Sequence, residues 1–106
     1  NYVWLGENFW IDNLDKVTIL DNSCVSQGAT LLCGNHNYFL ESFDLIIKPI
    51  TLEQGSWIGV NSTVCPGVNI GSHAVLSAGS VATKDLEPYF IYQGNPASKI
   101  RKRMIS

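Results

Sequence analysis

Aliphatic residues recur every six positions through the second half of the chain, at Leu52, Ile58, Val64, Ile70 and Leu76. Four residues after each stands a small or β-branched one: Ser56, Ser62, Val68, Ala74 and Ser80. The register also runs upstream through Ile19, Val25 and Leu31, with Ser23, Ala29 and Asn35 at +4, and Leu5 and Ile11 begin a further run. A strict six fits neither the period of about 3.6 of an amphipathic helix nor the plain alternation of a half-buried strand. It predicts one short strand and one turn per hexad. The aliphatic residue points into a narrow core, and the small residue sits where the chain bends. Gly55, Gly59, Gly67 and Gly71 fall where close backbone approach or a positive φ is useful. Layers would stack about 4.8 Å apart, giving a quasi-one-dimensional solenoid with ends that need capping.

The period breaks twice. From Ile11 to Ile19 the step is eight, so two residues are inserted around Asp12–Asp15. From Leu31 to Leu52 it is twenty-one, which predicts a loop over residues 37–49. Insertions in solenoids gather on one face, often the binding face. The loop holds Tyr38, Phe39, Phe43 and the apolar run Leu45–Ile47, so it is expected to cover a solenoid face or an adjacent subunit. Downstream, Asn95 as N-cap and Pro96 at the first helical position predict a short helix or tail that caps the solenoid. The organisation expected is a repeat region over 1–83 and a capping segment over 84–106.

Composition adds limits. The chain has 106 residues, 45% hydrophobic and 15% charged. One domain is expected at this length, and disorder is excluded. The charged share is below the usual value of about 25%, so part of the surface is expected to meet another subunit. A net charge of −2 argues against a general polyanion binder. No apolar run approaches the roughly 20 residues of a membrane span. The chain opens at Asn1, without Met or a leader, inside a patterned segment, which is expected of a portion of a longer array. Cys24, Cys33 and Cys65 are odd in number and form no C-x-x-C pair, so packed, reduced thiols in a cytoplasmic protein are expected.

Two imidazoles are present, His36 and His73. His36 stands in Cys33-Gly-Asn-His36, at the edge of the long insertion, where it serves either as a base toward a hydroxyl or as a turn residue. His73 sits at a hexad turn and is expected to face solvent. Asp12, Asn13, Asp15 and Asp21 suit turns through side-chain-to-backbone bonds. Trp57, at +5 of its hexad, should point outward and mark a ligand or partner site.

The stretch Ile58-Gly-Val-Asn-Ser-Thr, Ile70-Gly-Ser-His-Ala-Val resembles the hexapeptide-repeat acyltransferases. Trp10–Thr18 and Cys33–His36 are most similar to the colanic-acid, exopolysaccharide and galactoside-type sugar O-acetyltransferases. The resemblance implies an all-β, left-handed parallel β-helix of hexapeptide repeats, a hand opposite to the general crossover rule. It implies a homotrimer with active sites between subunits, an acetyl-CoA donor and a saccharide acceptor. His36 becomes the general base, and Asp12 and Asn13 become acceptor contacts. Trp57, Gly59, Val60, Ala78 and Gly79 line the groove of the donor's pantetheine arm. Thr83, Lys84 and Arg101, in a T-K-D…G-N-P-A…I-R arrangement, become cofactor contacts, with Lys84 and Arg101 meeting the phosphates and adenine end.

Other readings compete. A hydratase of the γ-carbonic-anhydrase type on the same fold needs three His ligands, and no metal is expected here. A non-catalytic trimeric scaffold, or transfer to an amine or non-sugar alcohol, uses the same fold. The basic cluster Lys99–Arg103 is too small, and lacks the aromatic interleaving, for a nucleic-acid site.

Overall fold

The computed structural model describes residues 2–105, and these are entirely β. The first coil is β1 (Trp4–Leu5), β2 (Trp10–Asp12) and β3 (Val17–Ile19). The second is β4 (Cys24–Val25) and β5 (Thr30–Leu32), the inserted β6 (Gly34–His36) and β7 (Leu45–Ile47), then β8 (Ile50–Leu52). The third is β9 (Trp57–Ile58), β10 (Thr63–Val64) and β11 (Asn69–Ile70). The fourth is β12 (Val75–Leu76), β13 (Val81–Ala82) and a bridge from Leu86 to Ile70. The chain ends in β14 (Phe90–Gly94) and β15 (Ala97–Lys102).

Parallel pairing stacks the coils into three faces: β1-β4-β9-β12-β14, β2-β5-β10-β13 and β3-β8-β11. Trp57 pairs with Val75, Thr63 with Val81 and Thr51 with Asn69, each eighteen positions on, so three hexads make one coil. Trp4 pairs with Cys24, two positions beyond that interval. Cys24 pairs with Trp57, fifteen beyond it. The two insertions read from the sequence are therefore looped out of an otherwise continuous register.

The hexad aliphatics form the core. Val25, Leu31, Leu52, Ile58, Val64, Ile70 and Leu76 are fully buried, each burial stabilising by about 1.5–3 kcal/mol. At +4, buried serines spend their hydroxyls on neighbouring coils. Ser23 Oγ donates to the Glu53 carbonyl at 3.0 Å, and Ser62 Oγ to that of Ser77 at 2.8 Å. One corner is built from Gly28, Asn61 and Gly79, all at positive φ. Their amides donate to the carbonyls of Glu7, Gln27 and Val60 one coil earlier, at 2.8–3.1 Å. Among the described residues no helix is long and apolar enough to cross a membrane.

Two expectations are corrected. The C-terminal segment is a β-hairpin, not a helix. Ile91 in β14 already pairs in parallel with Val75, and β15 returns antiparallel from a turn at the cis Asn95–Pro96 bond. Arg103 then secures the hairpin: its amide donates to the Tyr89 carbonyl, and its Nη1 to the carbonyls of Gly55 and His73 at 3.0 and 3.1 Å. The long insertion is also more ordered than a loop. Leu45–Ile47 pairs antiparallel with Gly34–His36, leaving 37–44 as the connecting turn. Its apolar residues do not cover the solenoid: Phe39 is 86% exposed and Leu45 54%.

Candidate active site and donor groove

His36 ends β6, where the insertion leaves the corner between the second and third faces. Its backbone amide is fixed by Asn35, whose Oδ1 accepts at 2.8 Å. Its ring is fixed by Phe43, across the turn. Nδ1 lies 2.9 Å from the Phe43 carbonyl, and the two rings stack at 4.4 Å with 10° between planes. A carbonyl oxygen only accepts, so Nδ1 carries the proton. Nε2 is then the basic nitrogen. It has no hydrogen-bond partner among the described residues, and the side chain is exposed.

Asp12 belongs beside this strand. Asp12 is paired with Leu32, its carbonyl accepts the Cys33 amide at 3.1 Å, and a Cβ added to Gly34 would meet its Oδ2 at 3.1 Å. The carboxylate therefore lies against Gly34, two positions before His36. Asn13 is exposed on the adjoining turn.

A second site lies on the large face. Trp57 is outward and 46% exposed, as its position in the hexad predicts. Its Nε1 donates to Ser26 Oγ at 2.9 Å, which sets the plane of the indole. Trp57, Gly59, Val60 and Ala78 line one mostly apolar cavity of about 230 Å³, with Val75, Leu76 and Ser77. Gly59 is demanded by its neighbours, because a Cβ there would meet the Ala78 nitrogen and Leu76 oxygen at 2.7 Å. Gly79, at φ +68, is demanded by the turn, and its amide is held by Val60 at 2.8 Å. Arg101 shares this face through its pairing with Ile91. Thr83 does not. It lines a separate cavity of about 330 Å³ with Asn35, Ile46, Lys48, Cys65 and Pro66, beside the inserted hairpin. Lys84 follows Thr83 on the exposed turn after β13.

His73 departs from the solvent-facing expectation. It holds the turn, at φ +60, but its ring is half-buried, stacked on Tyr89 at 4.7 Å and seated over Gly55. Burial pushes the thiols of Cys33 and Cys65 up from the ordinary cysteine value. At Cys33 the nearby carboxylates of Asp15 and Asp12 add to the effect of burial, while backbone hydrogen bonds oppose it. Among the described residues no group of three or more His, Cys, Asp or Glu side chains is placed to hold a metal.

The site contacts of Phe43, Asn35 and Ser26 were not legible in the sequence. Val75 and Ser77 were accessible to it, since they stand one coil after Trp57 and Gly59.

Three hexads per coil, three parallel faces, an exposed histidine beside a hairpin insertion and an outward Trp-Ile-Gly groove define a class, the hexapeptide-repeat solenoids. The family of hexapeptide repeats of succinyl-transferase matches residues 49–84. The chain carries the hexapeptide repeat of that family and is similar to hexapeptide-repeat acyltransferases. It is 33% identical over 104 residues to the putative colanic acid biosynthesis acetyltransferase WcaF of Escherichia coli, covering 98% of this chain and 57% of that one. It is 34% identical over 109 residues to the galactoside O-acetyltransferase of Escherichia coli, covering 94% and 54%. A chloramphenicol acetyltransferase of Agrobacterium fabrum is 49% identical over 113 residues, covering 87% and 54%. Among solved structures, a galactoside acetyltransferase in complex with coenzyme A superposes with a TM-score of 0.82 at 31% identity, covering 94% of this chain and 55% of that one. The chain spans little more than half the length of these curated relatives.

Proposed function

We propose that this chain is the β-helical, catalytic part of an O-acetyltransferase that moves an acetyl group from acetyl-CoA to a saccharide hydroxyl. The observation that carries this is the contact of His36 Nδ1 with the Phe43 carbonyl, which leaves Nε2 without a partner among the described residues at an open corner. In the proposed reaction Nε2 takes the proton of the acceptor hydroxyl, and the oxygen attacks the thioester carbonyl. The tetrahedral intermediate then expels coenzyme A, which leaves as the thiol with the proton returned from His36. No acyl-enzyme is needed, because both substrates are held in place. Asp12, against the His36 strand, and Asn13 supply hydrogen bonds to the acceptor.

The solenoid is left-handed in this reading, and the chain works as a homotrimer. The support is geometric. His36 leaves the corner between the second and third faces, whereas the Trp57–Gly59 groove lies on the first face, toward another corner. In such a trimer, three copies packed side by side would set the His36 corner of one against the groove of the next. Thr83 and Lys84, on the His36 side of the chain, then reach a donor bound across the seam, while Arg101 reaches it from the groove side. Three free thiols and a coenzyme A donor support a cytoplasmic location. Polysaccharide biosynthesis is the setting that the colanic-acid relative suggests.

A second reading has its own support. Tyr38 and Phe39, beside His36, are 70% and 86% exposed, with ring centroids 4.8 Å apart and planes tilted by 36°. Such a surface suits an apolar molecule bearing a hydroxyl, as the likeness to a chloramphenicol acetyltransferase also suggests. Thiol release from acetyl-CoA with a panel of saccharides and of apolar alcohols separates the two. Turnover is expected with saccharides. Turnover with apolar alcohols alone moves the acceptor to the second class. No turnover with either, together with no saturable heat on titrating coenzyme A, returns the chain to a scaffold.

A further inference from the structure

We infer that Phe43 is a positioning residue for His36, acting through its carbonyl and its ring together. This rests on the reading of His36 as the base and adds the device that aims it. An exposed histidine at the end of a strand is free to turn about its side-chain bonds. A half-turn of the ring about Cβ–Cγ exchanges each nitrogen with a ring carbon, and so carries the basic nitrogen away from its place. Phe43 blocks that turn twice. Its carbonyl takes the Nδ1 proton at 2.9 Å, and its ring lies nearly parallel on the imidazole, centroids 4.4 Å apart.

Both contacts come from one residue in an uncommon backbone state. Phe43 has φ +52, in the left-handed region that bulky side chains seldom occupy. Such a state persists only where its surroundings hold it. Here the turn does so: the Phe43 amide donates to the Leu40 carbonyl at 3.0 Å, the Leu40 amide to that of Asn37 at 3.2 Å, and the Asn37 amide to that of Asp44 at 2.8 Å. Asn37 Oδ1 also accepts the Phe39 amide at 3.2 Å. The β6–β7 pairing closes the same turn, with His36 opposite Leu45. The insertion is thus a frame that carries Phe43 onto His36. A catalytic group displaced by about 1 Å loses on the order of a hundredfold in rate, so such a frame has kinetic weight.

The test uses Phe43→Gly, which suits a positive φ and keeps the carbonyl but removes the ring, and Phe43→Tyr, which keeps both. Two readouts are taken on the intact chain. One is the split of kcat from KM with acetyl-CoA and its acceptor. The other is the imidazole 15N spectrum, which distinguishes the two tautomers; His36→Asn assigns the signals. Phe43→Gly is expected to lower kcat about tenfold, to leave KM for acetyl-CoA within about twofold, and to shift the His36 signals from the Nδ1–H form toward an average. Phe43→Tyr is expected to restore both. Wild-type kcat and wild-type 15N signals in folded Phe43→Gly overturn the inference while leaving His36 as the base. An active His36→Asn overturns the underlying reading instead. If Phe43→Gly does not fold, Phe43→Asn, which tolerates the positive φ and also removes the ring, carries the same expectations, and wild-type kcat and 15N signals in it overturn the inference.

Discussion

Trp57 and Arg101 stand in one outward column of the large face, with Val75 and Ile91 between them. The register Trp57↔Val75↔Ile91↔Arg101 places them three rungs apart, about 14 Å at 4.8 Å per rung. An aromatic surface and a guanidinium at that spacing match an extended donor with a thioester arm at one end and phosphates at the other. Lys99 and Arg103, two of the three neighbouring cations, are already engaged. Lys99 pairs with Glu87 and lies over the Phe90 ring, and Arg103 holds two carbonyls.

Arg101→Ala is therefore expected to weaken coenzyme A binding about tenfold, the scale of a hydrogen bond to a charged group. Binding of pantetheine, which has no phosphate, should be unchanged. Calorimetric titration of both ligands checks this. An equal loss for the two ligands removes Arg101 from the phosphate end.

Trp57→Ala is expected to weaken both ligands alike, since it removes one wall of the cavity proposed to hold the pantetheine arm. The Ser26→Ala variant frees the indole Nε1 and is expected to show a smaller loss in the same direction. Tryptophan fluorescence on titration with coenzyme A reads the effect, and an unchanged affinity in Trp57→Ala excludes the groove.

The hexad register was legible because the large aliphatics of the central coils repeat it: Leu52, Ile58, Val64, Ile70 and Leu76 are all fully buried. Both insertions were legible as breaks in that count. The C-terminal hairpin was not. Asn95–Pro96 suits a turn as well as a helix start, and the choice is made by the pairing of Ile91 with Val75, a contact outside the local sequence. Phe43 was hidden for the same reason. Its role depends on a carbonyl and on φ +52, neither of which has a sequence signature outside glycine. His73 looked free because its partners, Tyr89 and Gly55, are sixteen and eighteen residues away.

Arg103→Ala is expected to lower stability by about 1–3 kcal/mol, because it removes two bonds from a charged donor. The terminal hairpin should loosen first. Hydrogen exchange at Ile91 and Tyr92, followed with thermal melts, is the measurement. Unchanged protection and melting temperature mean that the hairpin holds without this staple.

The raised thiols of Cys33 and Cys65 predict slow alkylation. A thiol raised in the folded state stays protonated, and so unreactive, until the pH climbs past its elevated value, and unfolding restores ordinary reactivity. At pH 7.5 both should react with iodoacetamide more slowly in the folded chain than in urea, by mass spectrometry of the peptides. Equal rates in the two states contradict the burial argument.

The central claim is that His36 Nε2 accepts the proton of the attacking hydroxyl. The most direct measurement is kcat for His36→Asn, with coenzyme A affinity measured on the same sample. The prediction is a fall in kcat of about 10²–10⁴-fold, the range for a positioned general base, with coenzyme A affinity unchanged. A His36→Asn variant that turns over at close to the wild-type rate would contradict the account.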